Sequence, residues 1–427
     1  MSKKTSFLNP KGMNDILPDQ QKYWRYLINT FEEIAYYSGY LRIDTPMVEE
    51  MDLFIRTVGD TSDIVTKEFF VLEDKSASGR KMVLRPEFTA PIARSYIQNG
   101  LKSLPKPVKL FSTGPIFRYS RPQSGRLRQF HQLNLEQIGI DTACADAEII
   151  SMCWDFFSKI GLKDIELHIN TIGNSASRKE ITTLLINYFT PLKSKLCDDC
   201  QKRLQKNPLR VYDCKEKSCQ KLVASAPQII DSIDKKSKKF FFELLEYLDE
   251  VNIPYILNPK LVRGLDYYTD SVFEFIPIDG SPSLGGGGRY DDLYGLLGEQ
   301  DTPAVGVALG LERIINKLLE QKVQIPELAK LVPDVFLIQL GDSAKKKCFQ
   351  LLHNLRSHNL KISSSLSKKS ISAQLKKADK QNARLAVIIG QKEAIDNTII
   401  IRDMKNGVQD TVDFDRALNE ISLRLGL

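Results

Sequence analysis

The sequence predicts an α+β domain built on an antiparallel sheet, a helical insertion inside that domain, and a small C-terminal α/β domain. Three observations carry this. Lys109–Arg118 and Phe130–Ile138 each alternate apolar and polar residues, and a polar loop with Pro122 and Gly125 joins them, so the unit reads as a long antiparallel hairpin. Residues 174–252 become helical and lysine-rich, with few strand signals. Beyond residue 334 short apolar strands alternate with helices, as in an α/β domain with a largely parallel sheet. The expected division is residues 1–325 for the first domain, interrupted by 174–252, a linker over 326–333 bounded by Pro326 and Pro333, and 334–427 for the last.

Composition narrows the class. A chain of 427 residues with 42% hydrophobic and 26% charged residues can bury a sizeable core. No run of about 18 apolar residues is present, which excludes an ordinary membrane-spanning helix. Met1-Ser2-Lys3-Lys4-Thr5 lacks a following apolar core, so no secretory signal is expected. Seven cysteines, an odd number in a long chain, point to a reducing cytoplasmic location. The net charge is +7, and residues 331–427 hold 16 basic against 10 acidic side chains, a balance suited to a nucleic-acid partner.

In chain order, Asp19 is placed to cap a helix whose Trp24, Leu27, Phe31, Ile34 and Ala35 form one apolar stripe. Tyr40–Val48 reads as a strand interrupted by Pro46, which belongs at an edge or interface. Phe69–Leu72 and Met82–Arg85 read as a hairpin, and Pro86 with Glu87 as the start of a helix. In the central hairpin Gln132, Asn134 and Glu136 are two apart and share one face. Arg118, Arg121, Arg126 and Arg128 crowd the loop beside them, and guanidinium forks match phosphate oxygens, so the array points to a polyanion. A helix over Ala145–Ile160 and a strand over Ile165–Ile169 follow, with His168 in a structural position. Cys197-x2-Cys200 and Cys214-x4-Cys219, thirteen residues apart, leave two readings open: a structural zinc site, or four small buried thiols without metal. The run Gly285–Gly288 lacks a following Gly-Lys-Ser/Thr and is no P-loop; taken alone it reads as a flexible turn.

Several of these stretches resemble the histidyl-tRNA synthetases, a class II aminoacyl-tRNA synthetase family. Phe117-Arg118 with Arg126-Leu127-Arg128-Gln129-Phe130-His131-Gln132 resembles class II motif 2, although Leu127 stands where an aromatic residue is frequent. Leu84-Arg85-Pro86-Glu87-Phe88-Thr89 and Leu261-Val262-Arg263-Gly264-Leu265-Asp266-Tyr267-Tyr268 resemble segments peculiar to the family. Ser283–Asp291 is similar to its second histidine-specific motif, Ala304–Ile314 to motif 3, and the helix and Pro46 strand near the start to motif 1. The terminal domain resembles the family's anticodon-binding domain, including Gln374-Leu375-Lys376-Lys377-Ala378-Asp379-Lys380; Lys368 and Lys369 add to its basic surface.

The resemblance implies an antiparallel sheet of the class II synthetase type and the ATP-dependent ligation of L-histidine to its tRNA. It implies ATP with Mg2+, histidine tRNA as partner, and a homodimer. Arg263 and Arg118 would be the catalytic residues at the α-phosphate. Arg118, Arg126, Phe130 and Arg313 would bind ATP. Glu87, Thr89, Gln132, Glu136, Tyr267, Tyr268 and Tyr290 would bind histidine, with Arg121 and Gln123 at the acceptor end of the tRNA. The competing reading is a non-catalytic synthetase-like regulatory subunit of histidine biosynthesis. Such proteins keep the fold, lose the arginine motifs and lack the terminal domain.

Overall fold

The computed structural model describes residues 7–59, 62, 64–73, 79–122, 125–326, 332–365 and 370–427. The chain forms two compact units, Met1–Pro326 and Glu327–Leu427. Strands of the first unit are β1 (Leu41–Arg42), β2 (Val48–Glu50), β3 (Val71–Leu72), β4 (Met82–Leu84), β5 (Val108–Phe117) and β6 (Gln129–Ile138). They continue as β7 (Ile165–Thr171), β8 (Tyr255–Leu257), β9 (Thr269–Pro277), β10 (Gly285–Arg289) and β11 (Ala304–Gly310). Eight of them form one sheet in the order β1-β5-β6-β11-β10-β9-β7-β8, antiparallel except for the two edge pairs. The remaining three make a small antiparallel sheet, β2-β4-β3.

The central hairpin is continuous from Val108 opposite Ile138 to Phe117 opposite Gln129. Its alternation sends Leu133 and Leu135 into a core with Phe111, Phe156, Phe273, Phe275 and Val305, next to the helices Gln21–Tyr37, Ala143–Lys159 and Leu311–Glu320. Pro46 lies between β1 and β2, where the chain leaves the large sheet for the small one, so its missing N–H disrupts no central ladder. The first helix begins at Gln21 with Gln20 in the capping position and no side-chain cap. Asp19 therefore does not cap it; the Gln20 side chain accepts from the Leu17 N–H instead.

Two further expectations need correction. Gly285–Gly288 is not a turn but most of β10, a central strand paired on both sides. A Cβ on Gly287 would strike the Gly306 carbonyl, and one on Gly286 the Phe273 carbonyl and the Arg263 side chain. Here glycine provides close approach across a sheet rather than a bend. The C-terminal sheet is mixed rather than largely parallel. Its strands β12 (Val335–Gln339), β13 (Ile362–Ser364), β14 (Leu385–Ile389), β15 (Thr398–Asp403) and β16 (Gln409–Asp413) stand in the order β13-β12-β14-β15-β16. The first three are parallel, and β15 and β16 return antiparallel through short connections.

Residues 174–252 are helical, with Ser175–Phe189, Asp198–Lys206, Lys217–Ala224 and Lys235–Glu250 as the α-helices. They connect the parallel neighbours β7 and β8. Their Ile181, Leu185, Phe189, Leu204 and Val211 share one apolar cluster with Tyr267, Tyr268 and Tyr290. The segment is thus continuous with the core beneath those tyrosines.

Candidate active site

A cavity of about 730 Å³ opens on the face of the large sheet opposite Leu133 and Leu135, lined from β6, β9, β10 and β11, from Glu87–Thr89 and from the loop preceding β9. The helix Thr89–Gln98 starts at its wall, and Glu87 accepts hydrogen bonds from the N–H groups of Thr89 (2.6 Å) and Ala90 (2.9 Å). Those are donors every helix start leaves unpaired. Burial pushes the Glu87 carboxyl up, and these bonds and the Arg118 charge oppose the shift.

Behind Thr89 lies Glu136, fully buried, which accepts from Thr89 Oγ1 (2.6 Å), Asn134 Nδ2 (3.1 Å) and the Tyr290 hydroxyl. Burial raises its carboxyl well above the ordinary range. A Cβ on Gly306 would fall on that carboxylate, so β11 needs glycine there to leave room. Tyr267, Tyr268 and Tyr290 form an aromatic wall, with ring centres 4.7 Å apart for the first two and 5.5 Å for Tyr267 and Tyr290. Tyr267 and Tyr268 line the cavity, whereas Glu136 and Tyr290 do not and sit immediately beneath.

The other end of the cavity is cationic. Arg118 Nε donates to the Pro86 carbonyl (2.9 Å), and its guanidinium lies 5.5 Å from the Phe130 ring centre. Arg313 is tethered to the carbonyls of Gly125 (3.1 Å) and Ser283 (2.6 Å). Among the described residues neither forms a carboxylate ion pair. Burial lowers the pKa of Arg313, and the nearby charges of Arg118 and Arg126 lower it further. Such a cluster is unfavourable until an anion enters. Arg263 is paired with Glu274. Burial works against its charge, but Glu274 and the two tyrosines outweigh that and raise its pKa. Arg263 Nε and Gln132 Oε1 are buried without a hydrogen-bond partner, and both side chains line the cavity. Buried polar atoms are nearly always satisfied, so these mark where a polar ligand belongs.

Arg118, Arg126, Phe130, Arg313, Arg263, Glu87, Thr89, Gln132, Tyr267 and Tyr268 all converge on one cavity. Arg121 is exposed and outside it, and Gln123 lies outside the described residues. Arg128 turns away from the cavity: its guanidinium stacks 3.8 Å from the Tyr119 ring centre and donates to the Ser120 carbonyl, bracing the loop. His168 bonds Glu166 and Asn258 away from the cavity, as a structural histidine should. Three residues of the site carry little signal in the sequence. Glu274 shows there only as one charge in the apolar strand Val272–Phe275. Glu312 accepts from the His131 N–H and fixes motif 3 to β6, and Arg178 holds the carbonyls of Asp266 and Tyr268.

An antiparallel sheet carrying an arginine-lined cavity, with a central strand that runs into a helix beside that cavity, defines a class II aminoacyl-tRNA synthetase catalytic domain. The comparisons with known proteins narrow this. A model of the histidyl-tRNA synthetase family matches residues 12–177 and 202–314, and an anticodon-binding domain model matches 334–424. A histidine–tRNA ligase of Pelotomaculum thermopropionicum is 44% identical, covering 96% of each chain. One of Dehalococcoides mccartyi is 42% identical over 98% of this chain and 100% of its own. The crystal structure of apo Staphylococcus aureus histidyl-tRNA synthetase superposes with a TM-score of 0.78 at 34% identity, covering 97% of this chain and 100% of that one. The chain belongs to the histidyl-tRNA synthetase family.

Proposed function

We propose that this chain uses ATP to activate L-histidine and joins it to histidine tRNA, with the residues of the cavity in the following roles. The carrying observation is the division of one cavity into a carboxylate–tyrosine end and an end with three half-buried arginines, Arg118, Arg263 and Arg313. A histidine carboxylate oxygen would attack the α-phosphorus, the bond to the bridging β-phosphate oxygen would break, and pyrophosphate would leave. A terminal ribose hydroxyl would then attack the acyl carbon and release AMP. Neither step forms a covalent bond to the protein, so its contribution is positioning and charge stabilisation.

Arg263 and Arg118 would grip the α-phosphate, and Arg126 and Arg313 the outer phosphates. Phe130 would stack on adenine, and magnesium would enter with the phosphates as part of the nucleotide substrate. Glu87 and Thr89 would hold the ammonium group, a carboxylate being an acceptor-only partner for it. Gln132, Glu136, Tyr267, Tyr268 and Tyr290 would surround the imidazole. Arg121 and Gln123 would meet the acceptor end of the tRNA. The regulatory-subunit reading has less support, because Arg118, Arg263 and Arg313 all face the cavity and the anticodon-binding domain is present.

A homodimer in the cytoplasm completes the proposal. Tyr36, Tyr37, Leu41, Met47 and Val48 are exposed along the motif 1 helix and strands, an apolar surface a second copy would cover. Among the described residues no helix is long and apolar enough to cross a membrane. A stable, fully active monomer in sedimentation would reject the dimer. The reaction is tested by ATP–pyrophosphate exchange with each amino acid in turn, followed by tRNA charging. Exchange driven by histidine alone is expected. Failure of every amino acid to drive exchange, in folded protein that binds histidine, would favour the regulatory subunit.

A further inference from the structure

Cys197, Cys200, Cys214 and Cys219 lie outside the cavity, and their sulfur atoms are all within 4.8 Å of one another. All four are free thiols, three of them buried. Cys197 Sγ is 3.7 Å from Cys214 Sγ. Four thiolates about 2.3 Å from one tetrahedral zinc have sulfur–sulfur edges of about 3.8 Å, so the quartet needs little contraction to hold the ion. The Cys197 N–H points at Cys219 Sγ at 3.3 Å, the kind of backbone donor that supports a thiolate ligand. Four protein ligands would leave no open position, which makes the site structural rather than catalytic.

What the quartet encloses gives it a consequence. Between Cys200 and Cys214 run the rest of the helix Asp198–Lys206, then Asn207, then the turn Pro208–Val211. Asn207 Nδ2 donates to Asp266 Oδ1 at 2.8 Å, and Arg210 Nη1 lies 3.9 Å from the same oxygen. Asp266 immediately precedes Tyr267 and Tyr268. Arg178, on the helix Ser175–Phe189, grips the Asp266 and Tyr268 carbonyls from another direction.

We propose that Cys197, Cys200, Cys214 and Cys219 bind one zinc ion, and that the loop it closes holds Asp266 and thereby the Tyr267–Tyr268 wall. Closing the loop removes conformational freedom that packing alone must otherwise suppress. Asn207 and Asp266 are positioning residues, acting through the tyrosines. The coupling rests on the proposed role of those tyrosines in binding histidine; the metal site does not.

The full-length protein purified under reducing conditions is expected to contain about one zinc per chain by elemental analysis, and its cobalt form to show thiolate-to-metal charge-transfer absorption. Negligible zinc and no such absorption after cobalt addition would overturn the site. Chelation should raise the KM for histidine roughly tenfold in pyrophosphate exchange, with the KM for ATP little changed and zinc restoring the original value. Asn207→Ala should keep its zinc and reproduce the histidine effect, which separates positioning from loss of fold. Unchanged histidine KM in that variant and in folded, metal-free protein would overturn the coupling. A zinc-loaded protein without histidine-dependent exchange would overturn the proposed function and the coupling, and leave the metal site standing.

Discussion

On β6, Leu133 and Leu135 enter a core with Phe111, Phe273 and Phe275, while Gln132, Asn134 and Glu136 on the same strand face the opposite way. Both sets are buried, but they contribute with opposite sign. The apolar side chains each stabilise the fold by about 1.5–3 kcal/mol on burial. The other face buries a carboxyl driven well above its ordinary pKa and clusters arginine charges that repel one another. A sheet with period-two alternation can therefore place a destabilised, ligand-seeking surface directly on the back of the core that stabilises it. Arg289 shows what a purely structural arginine looks like nearby. It is 1% exposed, bonded to Asp146 and Asp291 and to the carbonyls of Ile140 and Thr142, and nothing about it seeks an anion.

Substitutions on the two faces should separate activity from stability. Arg263→Ala should lower histidine-dependent pyrophosphate exchange by roughly 10³-fold, the scale of losing one preorganised donor at a reacting centre. A loss below about tenfold would remove Arg263 from the α-phosphate. Phe273→Ala, on the core face, should cost about 3–5 kcal/mol in denaturant unfolding and leave both substrate KM values unchanged in the folded protein. A selective change in histidine KM would show that the faces are not independent.

Glu136→Gln should cut histidine kcat/KM by roughly tenfold yet stabilise the protein at neutral pH. The unfolded chain ionises this carboxyl near its ordinary value of 4.5, whereas the folded chain resists ionisation. Its contribution is therefore complete below that value and is lost as pH rises through the raised folded pKa. The melting temperature of Glu136→Gln should accordingly exceed the parent's by a margin that widens as the pH rises above the ordinary carboxyl value of 4.5. A constant margin would mean the carboxylate is satisfied when ionised. The smallest effect is expected for Arg121→Ala, outside the cavity. Pyrophosphate exchange should be unchanged and tRNA charging slowed a few-fold, with a weaker salt dependence. Equal charging rates over a range of salt would remove Arg121 from the tRNA surface.

Elements with a strong local signal are legible in the amino-acid sequence itself. The hairpin of β5 and β6 stands where the alternation puts it, whereas the strand-to-helix passage at Gly310 and the places of Glu87 and Tyr267 come from the resemblance and not from local pattern. Local chemistry misleads where two meanings share one composition. Gly285–Gly288 has the makeup of a loop but is a strand, because its neighbours come too close for any Cβ. Arg128 has the makeup of a phosphate ligand but stacks on Tyr119. Glu274 is silent in the sequence because one carboxylate in a strand acquires a role only when Arg263 arrives beside it.

Side-chain period, breaker residues and motif spacing are enough to place the hairpin and most of the helices and to say which face of β6 is polar, since alternation is a property of the strand alone. They do not say which polar groups meet. Glu136 receives the Tyr290 hydroxyl from far along the chain, and Gly306 on β11 leaves the space that lets it. The four cysteines become a cluster rather than two pairs through folding alone. Those outcomes depend on register between strands and on loops that close over long separations, and no local stretch of sequence contains either.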